Sequence, residues 1–144
     1  MNDSLTANKL AEYLKLHTTM NARIYPGRLP DMPNRVVSIV VGTGGGGLTM
    51  DGLFDTIGFT ITCRGAENNF SDASNIAKEI DDILTGKYPD SKSVSFWLSD
   101  VYVDSIGRTG SGPVQLPMTD DQSRFMFTCN YYAQVATGIG QVSS

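Results

Sequence analysis

The first residues with a possible chemical role are the five glycines within Gly42–Gly47. A glycine-rich loop binds phosphate when Gly-Lys-Ser/Thr follows and opens a helix, because the lysine then reaches the phosphate groups. Here Leu48–Asp51 follows without a lysine, and residues with strand character come next. The run therefore favours a flexible connector over a nucleotide site.

Two pairs of adjacent carboxylates, Asp81-Asp82 and Asp120-Asp121, are the next candidates, for metal binding or acid–base chemistry. Neighbouring residues of a helix point about 100° apart, so Asp81 and Asp82 do not converge and are expected on a solvated helix side. Asp120 and Asp121 precede a strand, where aspartate usually serves a turn. Neither pair predicts a metal site.

The single histidine, His17, and the two cysteines, Cys63 and Cys129, complete the reactive side chains. No cysteine spacing supplies His17 with partners for a zinc site, and it is expected at the end of a first helix, where its protonated form favours the helix dipole. Both cysteines fall in apparent strands, which favours buried free thiols while leaving one disulfide open. We predict no enzyme activity, no cofactor and no metal.

Composition limits the classes of protein further. A chain of 144 residues suits one domain with its own core, because about two-thirds of the unfolded surface is buried at this length. The net charge of -4 argues against avid binding of nucleic acid. No secretion signal and no apolar run near ~20 residues is present, so we expect a cytosolic protein without membrane contact. We predict one domain over residues 1–136 and a disordered tail over 137–144.

The rest of the chain is organised around an amphipathic helix predicted over Ser71–Gly86. Its apolar residues recur at helical spacing: Ala73, Ile76, Ala77, Ile80, Ile83 and Leu84. Charged residues fill the other side: Asp72, Lys78, Glu79, Asp81 and Asp82. Ser71 or Asn69 is expected to cap the first turn, and the apolar stripe must be buried on a sheet.

A second helix is predicted over Ser4–His17, and strand-like segments supply the sheet. These segments are Asn21–Tyr25, Arg35–Val41, Leu53–Arg64, Val94–Val103 and Arg124–Val135. Pro26–Pro33 and Ser105–Asp121 are expected to be loops. In Val94–Val103 the apolar alternation changes parity at Ser99-Asp100, which predicts a β-bulge or bend there. The last strand is expected at the centre of the sheet.

These elements predict an α+β fold, in which two helices pack on one face of a mostly antiparallel sheet. The strands on either side of the glycine run are expected to form a long glycine-rich β-hairpin. The sheet face away from the helices is predicted to carry Trp97, Met126 and Tyr132. Such residues suit a subunit or partner contact. The alternative is that the first helix or a loop covers them.

The carboxyl-terminal third adds two distinctive segments, Ser105–Pro113 (SIGRTGSGP) and Asp120–Tyr131 (DDQSRFMFTCNY). Upstream, a strand carrying GFTITCRG leads into a helix of the ASNIAKEIDDIL kind. Over Leu5–Val135 the chain resembles the small tail terminator and minor capsid (head–tail joining) proteins of long-tailed bacteriophages. The resemblance lies in these segments and in the order in which they follow one another.

The resemblance implies a structural protein that assembles as a ring, usually a hexamer. Such a ring ends growth of the tail tube, contacts the major tail tube protein, and joins it to the head-side connector or stopper protein. Genome DNA would pass through the lumen without specific binding, which an acidic chain permits. The expected location is the head–tail junction of the virion, after assembly in the cytoplasm of the host bacterium.

Two loops are candidate docking segments under this hypothesis, because mobile loops can order on a partner. Their candidate residues are Arg28, Leu29, Gly44, Gly45, Gly46, Leu48 and Met50. Two other functions stay open. One is a head-completion or other minor capsid protein. The other, from a different class, is a small ligand-binding domain or enzyme with a site near the glycine-rich hairpin.

Overall fold

A computed structural model describes residues 7–18, 22–27, 34–42, 47–48, 54–85, 96–98, 101–108, 112–116 and 123–136. The described residues form two helices, α1 (Ala7–His17) and α2 (Phe70–Thr85). Their strands are β1 (Arg23–Pro26), β2 (Val36–Val41), β3 (Gly47–Leu48), β4 (Phe54–Glu67), β5 (Phe96–Leu98), β6 (Val101–Arg108), β7 (Val114–Gln115) and β8 (Arg124–Ala136).

The strands form one sheet in the order β1-β2-β4-β8-β6-β5, with β3 added beside β4 and β7 beside β8. Only the β1–β2 pair among the described strands is parallel, and the other pairs are antiparallel. β8 lies between β4 and β6, at the centre, as its length and apolar alternation predict. The predicted α+β fold with a mostly antiparallel sheet is confirmed.

Both helices pack on the same face of the sheet, as predicted. The apolar stripe of α2 is buried against β4, β8 and β6. Leu10 and Leu14 of α1 belong to the same core cluster, beside Ile24 of β1 and Ile39 of β2. α1 also contacts β5, at the opposite edge of the sheet from β1. The sheet is therefore curved enough for one helix to contact both edges.

The first turn of α2 is fixed by a cap and by a carboxylate. Asn69 is the cap, since its Oδ1 accepts a hydrogen bond of 3.0 Å from the Asp72 amide. The Asp72 carboxylate accepts a bond of 2.9 Å from the Ala66 amide and two from Arg35 Nε, at 3.1 and 3.0 Å. Asp72 therefore joins the start of α2 to the end of β4 and to the residue before β2.

Val94–Val103, predicted as one strand, contains instead two strands that pair antiparallel with each other. Leu98 lies opposite Val101 in this hairpin, with two residues between them along the chain. Opposed residues share a face, so the reversal of the chain accounts for the change of parity. Ser99 and Asp100 themselves lie outside the described residues. A register shift occurs instead between Val103 and Ser105.

Three segments predicted to be loops, a hairpin or a tail can be compared with the structure in part. Ser105–Asp121, expected to be a loop, gives its first residues to β6 and two residues to β7, because both segments pair with β8. The strands around the glycine run pair antiparallel, with Val41 opposite Phe59. Residues 43–46 lie outside the described residues, so the long hairpin stays a prediction. The predicted tail over 137–144 also lies outside them.

A substitution at Gly65 tests the contact between β4 and α2. A Cβ atom there would lie 2.6 Å from the Ala73 amide nitrogen and 2.9 Å from its Cα, both backbone atoms of the helix. We expect Gly65→Ala to lower the free energy of unfolding by about 1–3 kcal/mol, the usual cost of overpacking. Urea denaturation measures this loss. Ser71→Ala, on the exposed side of α2, is the control. Equal stability of the two variants would contradict the predicted clash.

Candidate functional site

The candidate interaction surface is the sheet face opposite the helices, here called the outer face. The strand registers place a row of side chains there from β2, β4, β6, β7 and β8, and Arg23 and Tyr25 of β1 lie at its edge, beside Val36 and Ser38. The row comprises Val36, Ser38, Val40, Thr56, Gly58, Thr60, Thr62, Arg64, Ser105, Gly107, Val114, Met126, Thr128, Asn130, Tyr132 and Gln134. Hydroxyl and amide groups dominate this row.

The centre of the outer face is polar but uncharged. Thr60 Oγ1 donates a 2.7 Å hydrogen bond to Asn130 Oδ1, and the bond is exposed to solvent. Among the described side chains that β2, β4, β6, β7 and β8 add to this row, the formal charge is on Arg64, which is 3% exposed. The exposed Arg23 of β1 lies at the edge of the face, beside Val36. Because 18% of the chain is charged, a central region with so little exposed charge is unusual for a surface that only meets water.

Exposed apolar residues are concentrated on the same face. Five large hydrophobic residues are exposed in the described part of the chain: Leu16, Val40, Phe70, Val114 and Tyr132. Three of these, Val40, Val114 and Tyr132, lie on the outer face. Apolar side chains beside neutral hydrogen-bonding groups are typical of a surface that contacts another protein.

Tyr132 lies between two glycines, Gly58 on β4 and Gly107 on β6. A Cβ atom on Gly107 would lie 2.6 Å from the Tyr132 hydroxyl oxygen and 2.7 Å from Cζ. The ring therefore extends over β6 and occupies the space that a side chain at Gly107 would need. Even in this position Tyr132 remains 37% exposed.

The other two predicted interface residues have different surroundings. Met126 lies on the outer face opposite Arg64 and is half-buried. Trp97 lies in β5, where its backbone pairs with Tyr102. Its side chain lies outside the described part of the structure. α1 packs on the opposite face of the sheet from Met126 and Tyr132.

Among the candidate docking residues, the structure describes only the backbone of Leu48. It lies in β3 and pairs with Asp55 of β4. The others lie outside the described residues: Arg28, Leu29, Gly44, Gly45, Gly46 and Met50. Asp120 and Asp121 also lie outside them.

A buried polar cluster joins α2 to β6 and β8. Asp81, expected on a solvated side of the helix, is 4% exposed. Arg108 Nη1 donates a 2.7 Å hydrogen bond to Asp81 Oδ2, and the Tyr131 hydroxyl donates one of 2.9 Å to Oδ1. The carboxylate is thus paired with a cation and a phenol inside the core. This arrangement links a helix to two strands.

Cys129 adjoins this cluster, since its thiol and the Tyr131 hydroxyl are hydrogen-bonded to each other. No group of three or more His, Cys, Asp or Glu side chains within them could hold a metal ion. Cys63 and Cys129 are buried and free, as the sequence favours. Burial raises the pKa of both thiols above the usual range, which makes them poor nucleophiles at neutral pH.

Comparison with known proteins identifies the family. The family model described as "Bacteriophage tail terminator protein" matches residues 5–137. The chain belongs to this family. The resemblance found in the sequence is confirmed, and the protein has a structural role in a phage tail. A comparison with curated proteins gave no match.

The terminator family fits the surfaces described above. A protein of the phage virion that works by assembly needs contact surfaces, and the outer face has the composition of one. Neither helix in the described part of this tail terminator is long and apolar enough to cross a membrane.

The sequence failed to locate the buried charges of this tail terminator. Asp81 follows Ile80 on the helix, and a helical plot places it with the charged residues. Its actual position is set by Arg108 and Tyr131, which lie 27 and 50 residues further along the chain. One signal for this cluster was available in the sequence, namely the regular alternation of apolar and polar residues in β8. This alternation turns Tyr131 towards the helices, where its buried hydroxyl requires a hydrogen-bonding partner.

The pair Asp81 and Asp82 provides a matched test of the buried cluster. Asp81→Asn removes the charge that pairs with Arg108, and we expect a loss of about 2–3 kcal/mol in the free energy of unfolding. Asp82→Asn, at a half-buried neighbouring position, is expected to change it by less than about 0.5 kcal/mol. Urea denaturation compares the two. Similar losses would show that the Asp81 contacts do not stabilise the core.

Buried phenol and thiol groups predict a loss of stability at alkaline pH. Burial raises the pKa of Tyr131 above its ordinary value of 10.0 and that of Cys63 above 9.0. The unfolded chain therefore releases these protons at a lower pH than the folded chain. Stability should be constant below about pH 9 and then fall, by up to about 1.4 kcal/mol per pH unit for each group.

Denaturant titrations between pH 8 and pH 11 measure this decline. Tyr131→Phe removes one of the ionising groups, so its curve should fall less steeply than that of the wild type above pH 10. Parallel curves for the two proteins would show that Tyr131 is not responsible.

Proposed function

We propose that this tail terminator assembles as a hexameric ring that caps the tail tube and joins it to the head-side connector or stopper at the head–tail junction. The observation that carries the proposal is the family match over residues 5–137. The uncharged centre of the outer face, with the exposed apolar residues on that face, supports assembly through protein contacts. A ring at this position would let genome DNA pass without specific binding.

Contacts between subunits are proposed to involve Trp97, Met126 and Tyr132. Each copy carries a net charge of -4, so copies repel one another at long range. The uncharged centre of the outer face allows close approach, since no like charges must be desolvated together there. Tyr132 is the best-placed anchor, because an exposed aromatic ring on a rigid strand loses little conformational entropy on binding.

Docking on the tube protein and on the head-side connector is proposed to involve two loop regions. Their residues are Arg28, Leu29, Gly44, Gly45, Gly46, Leu48 and Met50. Leu48 follows directly from the glycine run, and its backbone pairs with Asp55 of β4. A contact there would be supported by β4.

Tube capping tests both the function and the interface. Purified protein is mixed with unfinished tail tubes, and electron microscopy counts the ends that carry a cap. We expect the wild type to cap one end of each tube, which a head-completion protein would not do. Tyr132→Asp and Trp97→Asp each place a charge in the proposed contact, and we expect at least tenfold weaker capping, equivalent to ~1.4 kcal/mol or more.

Leu16→Asp is the matched control, because Leu16 is an apolar residue 82% exposed on α1, away from the outer face. It should cap as the wild type does. Thermal melting of all variants shows whether each is folded at the assay temperature. Capping by folded Tyr132→Asp at the wild-type level would remove Tyr132 from the interface. Failure of the wild type to cap any tube would overturn the proposed function.

A further inference from the structure

Glycine lies on both sides of Tyr132, at the directly opposed positions of the two neighbouring strands. Gly58 of β4 is one of these residues, and Gly107 of β6 is the other. Glycine weakens the interior of a strand, and it often marks a place where another group approaches the backbone closely. Neither glycine has a positive φ, so the backbone conformation does not require glycine at these two positions. Space above the strands is therefore what glycine provides here.

The space at Gly107 is filled by the end of the Tyr132 side chain. A Cβ atom on Gly107 would have three nearest neighbours, all of them in Tyr132: the hydroxyl oxygen at 2.6 Å, Cζ at 2.7 Å and Cε1 at 3.1 Å. At Gly65, by contrast, the nearest obstructing atoms belong to the backbone of α2. A substitution at Gly107 is therefore expected to displace a side chain and to leave the strands of the sheet in place.

The two glycines, here called the glycine slot, limit the orientations that are open to the Tyr132 ring. An aromatic ring that lies over a strand glycine covers the backbone there, an arrangement that strengthens sheets containing glycine. A side chain held in one orientation loses less conformational entropy when it binds a partner. In this orientation 37% of Tyr132 is still exposed. The ring is therefore held by its own sheet and is available for contact at the same time.

We propose that Gly107 is a positioning residue of the subunit interface: because it leaves room for the ring, it fixes Tyr132 in the orientation in which Tyr132 contacts a second copy of this chain. The proposal rests on the proposed function, to which it adds a residue that has no side chain of its own. Alanine at position 107 would occupy the place of the Tyr132 hydroxyl and Cζ. The ring would then leave the glycine slot and meet the neighbouring copy in another orientation.

Thermal melting tests the glycine slot without any partner, on the wild type, Gly107→Ala, Tyr132→Ala and the double variant. In the wild-type background, Gly107→Ala is expected to lower the melting temperature, because the ring loses its place over β6. In the Tyr132→Ala background the slot is empty, and Gly107→Ala is expected to raise the melting temperature by about 2–4 °C, since alanine suits a strand interior better than glycine. An equal change in both backgrounds would overturn the contact between the two residues.

Tube capping then tests whether the glycine slot serves the interface. The measurement is the protein concentration that caps half of the tube ends, at a temperature below the melting range of every variant. We expect Gly107→Ala to require at least about fivefold more protein than the wild type, because a ring that is no longer held must be ordered when it binds. Wild-type capping by folded Gly107→Ala would overturn the positioning role.

Gly65→Ala is the matched control for capping, because it adds the same methyl group to a strand glycine but obstructs α2, on the opposite face of the sheet. It is expected to cap at the wild-type concentration although it is less stable, which separates positioning from a general loss of stability. Equally weak capping by Gly65→Ala and Gly107→Ala would count against positioning. If the wild type capped no tube, the proposed function would fail, while the melting temperatures would still decide whether the Tyr132 ring occupies the glycine slot.

Discussion

The fold depends on the close contact between α2 and the two longest strands. The helix approaches β4 so closely that Gly65 leaves no room for a side chain beside Ala73. This approach buries the whole apolar stripe of α2 against β4 and β8 and brings Asp81 within reach of Tyr131 and Arg108. Because the helices occupy one face of the sheet in the described part of the chain, the outer face is the sheet face that remains for partners.

The sequence predicted those parts of the fold that depend on residues close to one another along the chain. The apolar stripe of α2 and the alternation of β8 each follow from residues a few positions apart, and both elements were found where expected. The β5–β6 hairpin was missed for a physical reason. The alternation of apolar and polar residues shows which face of the sheet each residue occupies. The same pattern results from one strand with a bulge and from two strands joined by a two-residue turn.

Partners distant along the chain explain the remaining failures. Asp81 looked solvated because its ion pair involves Arg108. The buried Arg64 and Arg124 each donate a hydrogen bond to Asn34, which lies 30 and 90 residues away in sequence. Charged residues are normally exposed, so a sequence pattern assigns them to the surface. For the outer face, alternation alone placed Met126 and Tyr132, since this placement needs no knowledge of distant contacts.

The contact of α1 with both β1 and β5 has a consequence for the order of folding. These strands lie at opposite edges of the sheet, and 69 residues of chain (27–95) separate them. Contacts across such a separation form slowly, since a large loop must close first. α1 is thus expected to be among the last elements to dock. Pulsed hydrogen exchange would show late protection in α1, and early protection there would contradict this order.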